Sequence, residues 1–177
     1  TTVRVTMIAR AVKHKGVHEY IAAAQTLKAR YPDVIFEFVG APDPGNIFSV
    51  TEAFMQSHDA ITYRGHQDDI RAILQESAIF VLPSYREGLP RTTLEAMSMG
   101  LPIVTTNAVG CRDTVIDGEN GFIVPVGDPH ALAWAIDKLL ADPDLRTLMG
   151  QKGRTRAVEK YDIQAIVQAH LAVYGVA

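Results

Sequence analysis

Two carboxylates separated by seven residues, Glu87 and Glu95, stand in the run PSYREGLPRTTLEAMSMGLPIV, from Pro83 to Val104. Between them lie Gly88 and Pro90, and a helix-like segment follows. Where a glycine-containing loop enters a helix, the first amides have no intrahelical partner. The N–H groups of Gly88, Leu89 and Arg91 could therefore hold phosphate or sugar oxygens. Pro90 has no N–H to offer. Ionised carboxylates accept hydrogen bonds from vicinal hydroxyls such as those of a ribose or a hexose. Glu87 belongs to the loop and Glu95 lies about one turn into the helix, so the two can face one cleft at different depths. The plainer reading of Glu95 is a helix-surface acid. Its helix lies between two buried strands, which weighs against that.

Two further strand ends carry polar residues. After the first strand, in RAVKHKG, Arg10 and Lys15 bracket a loop ahead of a helix, a pattern suited to a diphosphate. The alternative is a solvated basic loop. After the third strand, in TYRGHQDD, Arg64, Gly65 and His66 form a tight loop that could frame a flat base, or simply a turn. Cys111 reads as a small packed residue, because no histidine is placed near it. The six histidines show no metal-ligand spacing. Asp142-Pro143-Asp144 reads as a helix start. There is no G-x-G-x-x-G and no Walker A pattern. Trp134, with Leu132, Ile136, Leu139 and Leu140, reads as helix core.

The elements that must position these residues alternate in type. Strand-like runs VRVTMIA, VIFEFVG, AITYRG, AIFVLPS, LPIVTT and NGFIVPV are separated by helix-period segments. The predicted helices are GVHEYIAAAQTLKARYP, with a Tyr20–Ala24–Leu27–Tyr31 stripe, IFSVTEAFMQS, QDDIRAILQES with acids in its first turn, and RTTLEAMSMG. From Asp128 onward the chain reads as helical, with Asp128-Pro129 and Asp142-Pro143 each an N-cap followed by proline. The pattern predicts an α/β fold: a Rossmann-like doubly wound parallel sheet with extra C-terminal helices. Ligands of such folds bind beyond the carboxyl ends of the strands.

Bulk properties narrow the partners. The chain of 177 residues is 47% hydrophobic and 21% charged, with Lys+Arg 17 against Asp+Glu 20, a net charge of -3. This suits one soluble globular domain and argues against nucleic acid as the main partner. The single cysteine excludes an internal disulfide and fits a reducing compartment. No secretory signal, long apolar span or internal repeat is visible. A start at Thr-Thr-Val, almost directly in a strand, reads as a piece of a longer polypeptide. N-terminal processing is the other reading.

Taken together, these residues resemble the C-terminal domain of GT-B-fold retaining glycosyltransferases. The likeness is to the E-x7-E group of glycosyltransferase family 4 type. PSYREGLPRTTLEAMSMGLPIVTTNAVGCRDTVIDGENGFIVP matches that signature nearly end to end, and ARAVKHKG looks like the family's Arg and Lys-Gly pair. The resemblance implies that residues 1–177 are a single nucleotide-sugar-binding domain, with the acceptor-binding N-terminal domain outside this chain. It implies that Arg10 and Lys15 neutralise the diphosphate and that Glu87 hydrogen-bonds the donor sugar. The amides of Gly88, Leu89 and Arg91 would contact sugar and distal phosphate, Glu95 the ribose, and Arg64 the base. The sequence reads E-G-L-P where the family's commoner form is E-G-F-G, so Pro90 removes one expected amide contact. No metal or other cofactor is implied. The donor is a nucleoside-diphosphate sugar, UDP-linked sugars being favoured by the REGLPR and GCRD variants. The implied reaction is hexosyl or N-acetylhexosaminyl transfer to a glycan or lipid-linked acceptor in surface-polysaccharide synthesis. The implied setting is the cytoplasm or the inner face of its membrane, with peripheral membrane association of the full-length protein. Alternatives are a nucleotide-sugar-binding module or an epimerase-like GT-B protein without transferase activity, and a flavodoxin-like interaction domain.

Overall fold

The computed structural model describes residues 2–175. Six strands, β1 (Arg4–Ile8), β2 (Ile35–Val39), β3 (Thr62–Tyr63), β4 (Ile79–Leu82), β5 (Ile103–Thr106) and β6 (Gly121–Val124), form one sheet in the order β3-β2-β1-β4-β5-β6. Every pairing is parallel. Both faces are covered, and the central strand β4 is apolar throughout, with Ile79, Phe80, Val81 and Leu82 all buried. The chain runs outward from β1 through β2 and β3, then returns to the other side of β1 with β4. That reversal opens a crevice between the carboxyl ends of β1 and β4.

The helices are α1 (Val17–Lys28), α2 (Glu52–Gln56), α3 (Arg71–Glu76), α4 (Arg91–Ser98), α5 (Pro129–Ala141), α6 (Pro143–Tyr161) and α7 (Ile163–Tyr174). Tyr20, Ala24 and Leu27 of the predicted stripe are buried. The helix stops at Lys28, short of Tyr31, the last residue of the predicted stripe. The amides of Arg30 and Tyr31 both turn back to the Leu27 carbonyl, and a residue before proline disfavours the helical region. Helix α2 is also shorter than the predicted 47–57. Residues 46–49 are held in a turn by Asn46, whose side chain accepts the Phe48 amide at 2.9 Å, and Thr51 caps the true start. Such local side-chain bonds compete with helix. In α3 the expected first-turn acids lie ahead of the helix, where Asp69 accepts the Arg71 amide at 3.0 Å.

Asp128 and Asp142 cap α5 and α6 as predicted, and Asp162, not foreseen, caps α7 through the amides of Gln164 and Ala165. Trp134 is not core. It is 53% exposed, because it projects opposite the buried Leu132–Ile136–Leu139 face of α5, against the edge of Phe122 and beneath Lys138. Helix α7 buries none of its residues and leaves Ile163, Val167, Val173 and Tyr174 exposed.

Tyr20 joins α1 to the sheet. Its hydroxyl, fully buried, lies 2.7 Å from the Val5 carbonyl and 3.0 Å from that of Glu37. Burial, helped by the Glu37 charge, holds its phenol well above the usual range. Tyr20→Phe is expected to cost about 1–2 kcal/mol, read as a lower urea midpoint at unchanged slope. An unchanged midpoint would show that the carbonyls are satisfied without it.

Candidate donor site

The crevice between β1 and β4 is lined by two adjoining cavities. One, of about 270 Å³, is walled by Arg10, Lys15, Glu87, Leu89, Pro90 and Arg91 among others. The second, of about 430 Å³, continues past Gly40, Ala41 and Pro42 to His66 and Gln67. Ile8, Ala9, Arg10 and Thr92 border both, so they form one cleft along the strand ends.

Lys15 sits on a short 3₁₀ turn, Lys13–Lys15, between β1 and α1. Its ammonium donates to Glu87 Oε1 at 2.5 Å, and the two side chains are only 16% and 12% exposed. A lysine ammonium has three donors, so two remain for a ligand. Arg10 is paired to Asp43 Oδ2 at 2.6 Å, while Asp43 is itself held by Asn46 and by a bond from its amide to Ser49. Asp43 lies in the APDPGN turn and had no motif to mark it. Arg10 and Lys15 thus each already face one carboxylate, and an incoming diphosphate would share these two cations with Asp43 and Glu87.

The Glu87 loop is anchored on both sides. The Tyr85 amide and the Ser84 hydroxyl both donate to the His14 carbonyl, at 2.9 and 3.1 Å. The Tyr85 hydroxyl donates to Glu19 Oε1 at 2.7 Å, and this bond pushes the phenol up to about 12. On the β5 side the Glu87 amide donates to the Val109 carbonyl at 3.0 Å. A Cβ on Gly16 would lie 2.1 Å from the Pro83 carbonyl oxygen, so the Lys15 turn can pack this closely against β4 only with glycine there.

Pro90 is the N-cap of α4 and provides no side-chain cap. Among the described residues, the amides of Gly88, Leu89, Arg91 and Thr92 donate to no protein group. Four open amides at a helix start form a ready anion cradle.

Glu95 and Arg64 are placed differently. Glu95 is exposed on α4, one turn past Thr92, and its carboxylate has no partner among the described residues. It does not border the two cavities. Arg64 turns back across the sheet to the buried Glu37, whose Oε1 it approaches at 3.4 Å and which Arg4 also pairs. Of the loop after β3, His66 and Gln67 reach the cleft instead. Thr92 and Gln67 of the cleft, and Asp43 beside Arg10, are polar residues that sequence reasoning did not single out.

Cys111 is buried beneath the Glu87 loop, and burial pushes its thiol up. Buried and with its ionisation disfavoured, it should be left untouched by a disulfide reagent such as DTNB in the native protein and give one labelled thiol per chain after denaturation. Rapid native labelling would overturn this placement.

Fold and crevice together define a doubly wound α/β domain with paired cations and open amides at one strand edge. The glycosyl transferases group 1 family model matches residues 1–156, and the chain belongs to that family. The capsular polysaccharide biosynthesis glycosyltransferase CapM of Staphylococcus aureus is 32% identical over 169 residues, 95% of this chain and 44% of its own length. The N,N'-diacetylbacillosaminyl-diphospho-undecaprenol alpha-1,3-N-acetylgalactosaminyltransferase of Campylobacter jejuni is 36% identical over 170 residues, 96% of this chain and 44% of its own. The chain therefore spans less than half the length of these relatives. The crystal structure of Anabaena Alr3699/HepE in complex with UDP shares the fold, with a TM-score of 0.88 at 24% identity over 99% of this chain and 49% of that one.

Proposed function

We propose that residues 1–177 bind the nucleoside-diphosphate sugar donor, UDP-linked, of a retaining glycosyltransferase whose acceptor-binding half lies outside this chain. The observation that carries the reading is the convergence of Arg10, Lys15, Glu87 and four open amides at the β1/β4 crevice. The relatives' names and the UDP complex of a neighbour with this fold support it.

As the glycosidic bond breaks, negative charge builds on the leaving diphosphate. Lys15, Arg10 and the start of α4 would meet that charge in place, without a metal. Glu87 would orient the donor sugar. Its pairing with Lys15 suits a hydrogen-bonding role rather than that of a covalent nucleophile, in keeping with front-face attack. Glu95 would take the ribose hydroxyls from one turn down α4. Arg64, turned to Glu37, leaves the base end of the cleft to His66 and Gln67. The sugar transferred would be a hexosyl or N-acetylhexosaminyl group, and the acceptor a glycan or lipid-linked saccharide of surface-polysaccharide synthesis. The exposed apolar residues of α7 would pack against the other half. Among the described residues no helix is long and apolar enough to cross a membrane. The working place proposed for the whole protein is the cytoplasm, at the inner membrane face.

The test is calorimetry of the chain with UDP, GDP and ADP, alongside Glu95→Ala. Selective UDP binding, weakened at least several-fold by the substitution, is expected, with no sugar transfer by the chain alone. Equal binding of all three nucleotides, or turnover by the isolated chain, would overturn the corresponding part of the reading.

A further inference from the structure

The C-terminal end of α6 is tied by side chains to the turn that follows β5. Helix α6 is seated through its buried Met149, Gly150, Gly153 and Ala157. From that seat the Arg156 guanidinium donates through Nε to the Thr114 carbonyl and through Nη2 to the Asp113 carbonyl, both at 3.1 Å. The Tyr161 hydroxyl donates to the same Asp113 carbonyl at 2.8 Å. Three donors from one helix thus meet two adjacent main-chain carbonyls, and the two from Arg156 are charge-assisted.

The other end of the same turn holds the Glu87 loop. The Val109 carbonyl accepts the Glu87 amide at 3.0 Å, and Gly110 lies close against the Glu87 and Gly88 carbonyls. Bonds inside the turn are local: the Gly110 amide donates to Asp113 Oδ2 at 3.1 Å, and the Thr114 hydroxyl to the Cys111 carbonyl at 2.8 Å. They fix the shape of the turn. Where it stands is fixed from outside, by the burial of Cys111 and Val115, by Asn120 at 3.4 Å from the Thr114 carbonyl, and by Arg156 and Tyr161. An unbroken series of hydrogen bonds therefore runs from α6 to the amide of Glu87, although Arg156 and Tyr161 border neither cavity of the cleft.

We infer that Arg156 and Tyr161 are positioning residues of the donor site. From α6 they hold the 109–114 turn, and through it the loop on which Glu87 and the open amides of Gly88 and Leu89 stand. The consequence for donor binding rests on the proposed function; the mechanical link does not. Neither residue touches the donor, and each acts only by keeping that loop in place.

The first measurement is amide hydrogen exchange of the chain, read by NMR, in wild type, Arg156→Gln, Tyr161→Phe and the double variant. The Glu87 amide is expected to exchange at least ten-fold faster in the double variant. The Phe80 amide of β4, bonded to the Pro102 carbonyl, should stay within two-fold. Arg154→Gln is the control. Arg154 also ties α6 to a carbonyl, that of Ser98 at 2.6 Å, but not to the turn, so its loss should leave Glu87 exchange within two-fold. An unchanged Glu87 amide, or equal acceleration at Phe80, would overturn the link. The second measurement is calorimetry of the same variants with UDP. Affinity should fall at least five-fold in the double variant and less than two-fold in Arg154→Gln, and Arg156→Lys, which keeps a charged donor, should recover part of what Arg156→Gln loses. Faster exchange at Glu87 with UDP affinity unchanged would overturn the positioning role. If the wild type binds no UDP, the donor reading falls by itself, and the exchange data alone decide the link.

Discussion

Lys15→Ala is expected to weaken UDP binding by the chain at least ten-fold, and to lower sugar transfer by the full-length protein by about 10²–10³-fold. Two losses combine. The substitution removes a charge-assisted donor from the diphosphate. It also strands Glu87, only 12% exposed, without its partner at 2.5 Å. An unpaired carboxylate at that depth costs about 1–3 kcal/mol, reduced from the fully buried case because water reaches both groups. The two losses separate in a cycle with Glu87→Gln. The double variant, lacking the stranded charge, should recover most of the stability lost in Lys15→Ala but none of the UDP affinity. Wild-type affinity in Lys15→Ala would remove Lys15 from the site. Recovery of affinity in the double variant would mean that Lys15 serves only to neutralise Glu87.

The second large effect is at Gly110. Its φ is 81°, in the left-handed region, and an added Cβ would meet the Glu87 and Gly88 carbonyl oxygens at 2.2 and 2.7 Å. Those are main-chain atoms of the loop that carries the site, so they cannot yield as a flexible side chain would. Gly110→Ala is expected to cost about 3–5 kcal/mol, from conformational strain and displacement of the loop together, and to lower Tm by about 6–15 °C. UDP affinity should fall with it, because Glu87 and the open amides of Gly88 and Leu89 move. Gly118→Ala is the control. It has a φ of 75° but nothing within 4 Å of the added methyl, so it carries the conformational cost alone and should leave UDP binding intact. A Gly110→Ala protein with wild-type stability and affinity would show that the loop can be displaced without loss.

Both effects arise where chain segments far apart in sequence meet, and the sequence carried half of each. Glu87 was visible from its spacing to Glu95, and Lys15 from its place after a strand. Their mutual pairing was not, because it spans 72 residues and depends on β1 and β4 being neighbours. In the same way the Arg10 partner, Asp43, read as an ordinary turn residue. The family resemblance implied that Arg64 lies against the base; in the structure its guanidinium approaches the buried Glu37 on the adjacent strand.

Local chemistry was enough for the elements themselves. An apolar run of the fully buried kind marked β4, and Asp-Pro pairs marked the starts of α5 and α6, since these depend on neighbours one to three residues away. Helix bounds failed where a side chain capped or closed a turn first, at Asn46 and Asp69. Which face of α5 would be buried failed at Trp134, because hydrophobicity does not say which side meets the sheet. The residue types able to bind a diphosphate sugar, and the parallel α/β order, were thus written in short-range pattern. Which charges neutralise one another was decided only by the sheet order, which brings the ends of β1 and β4 side by side.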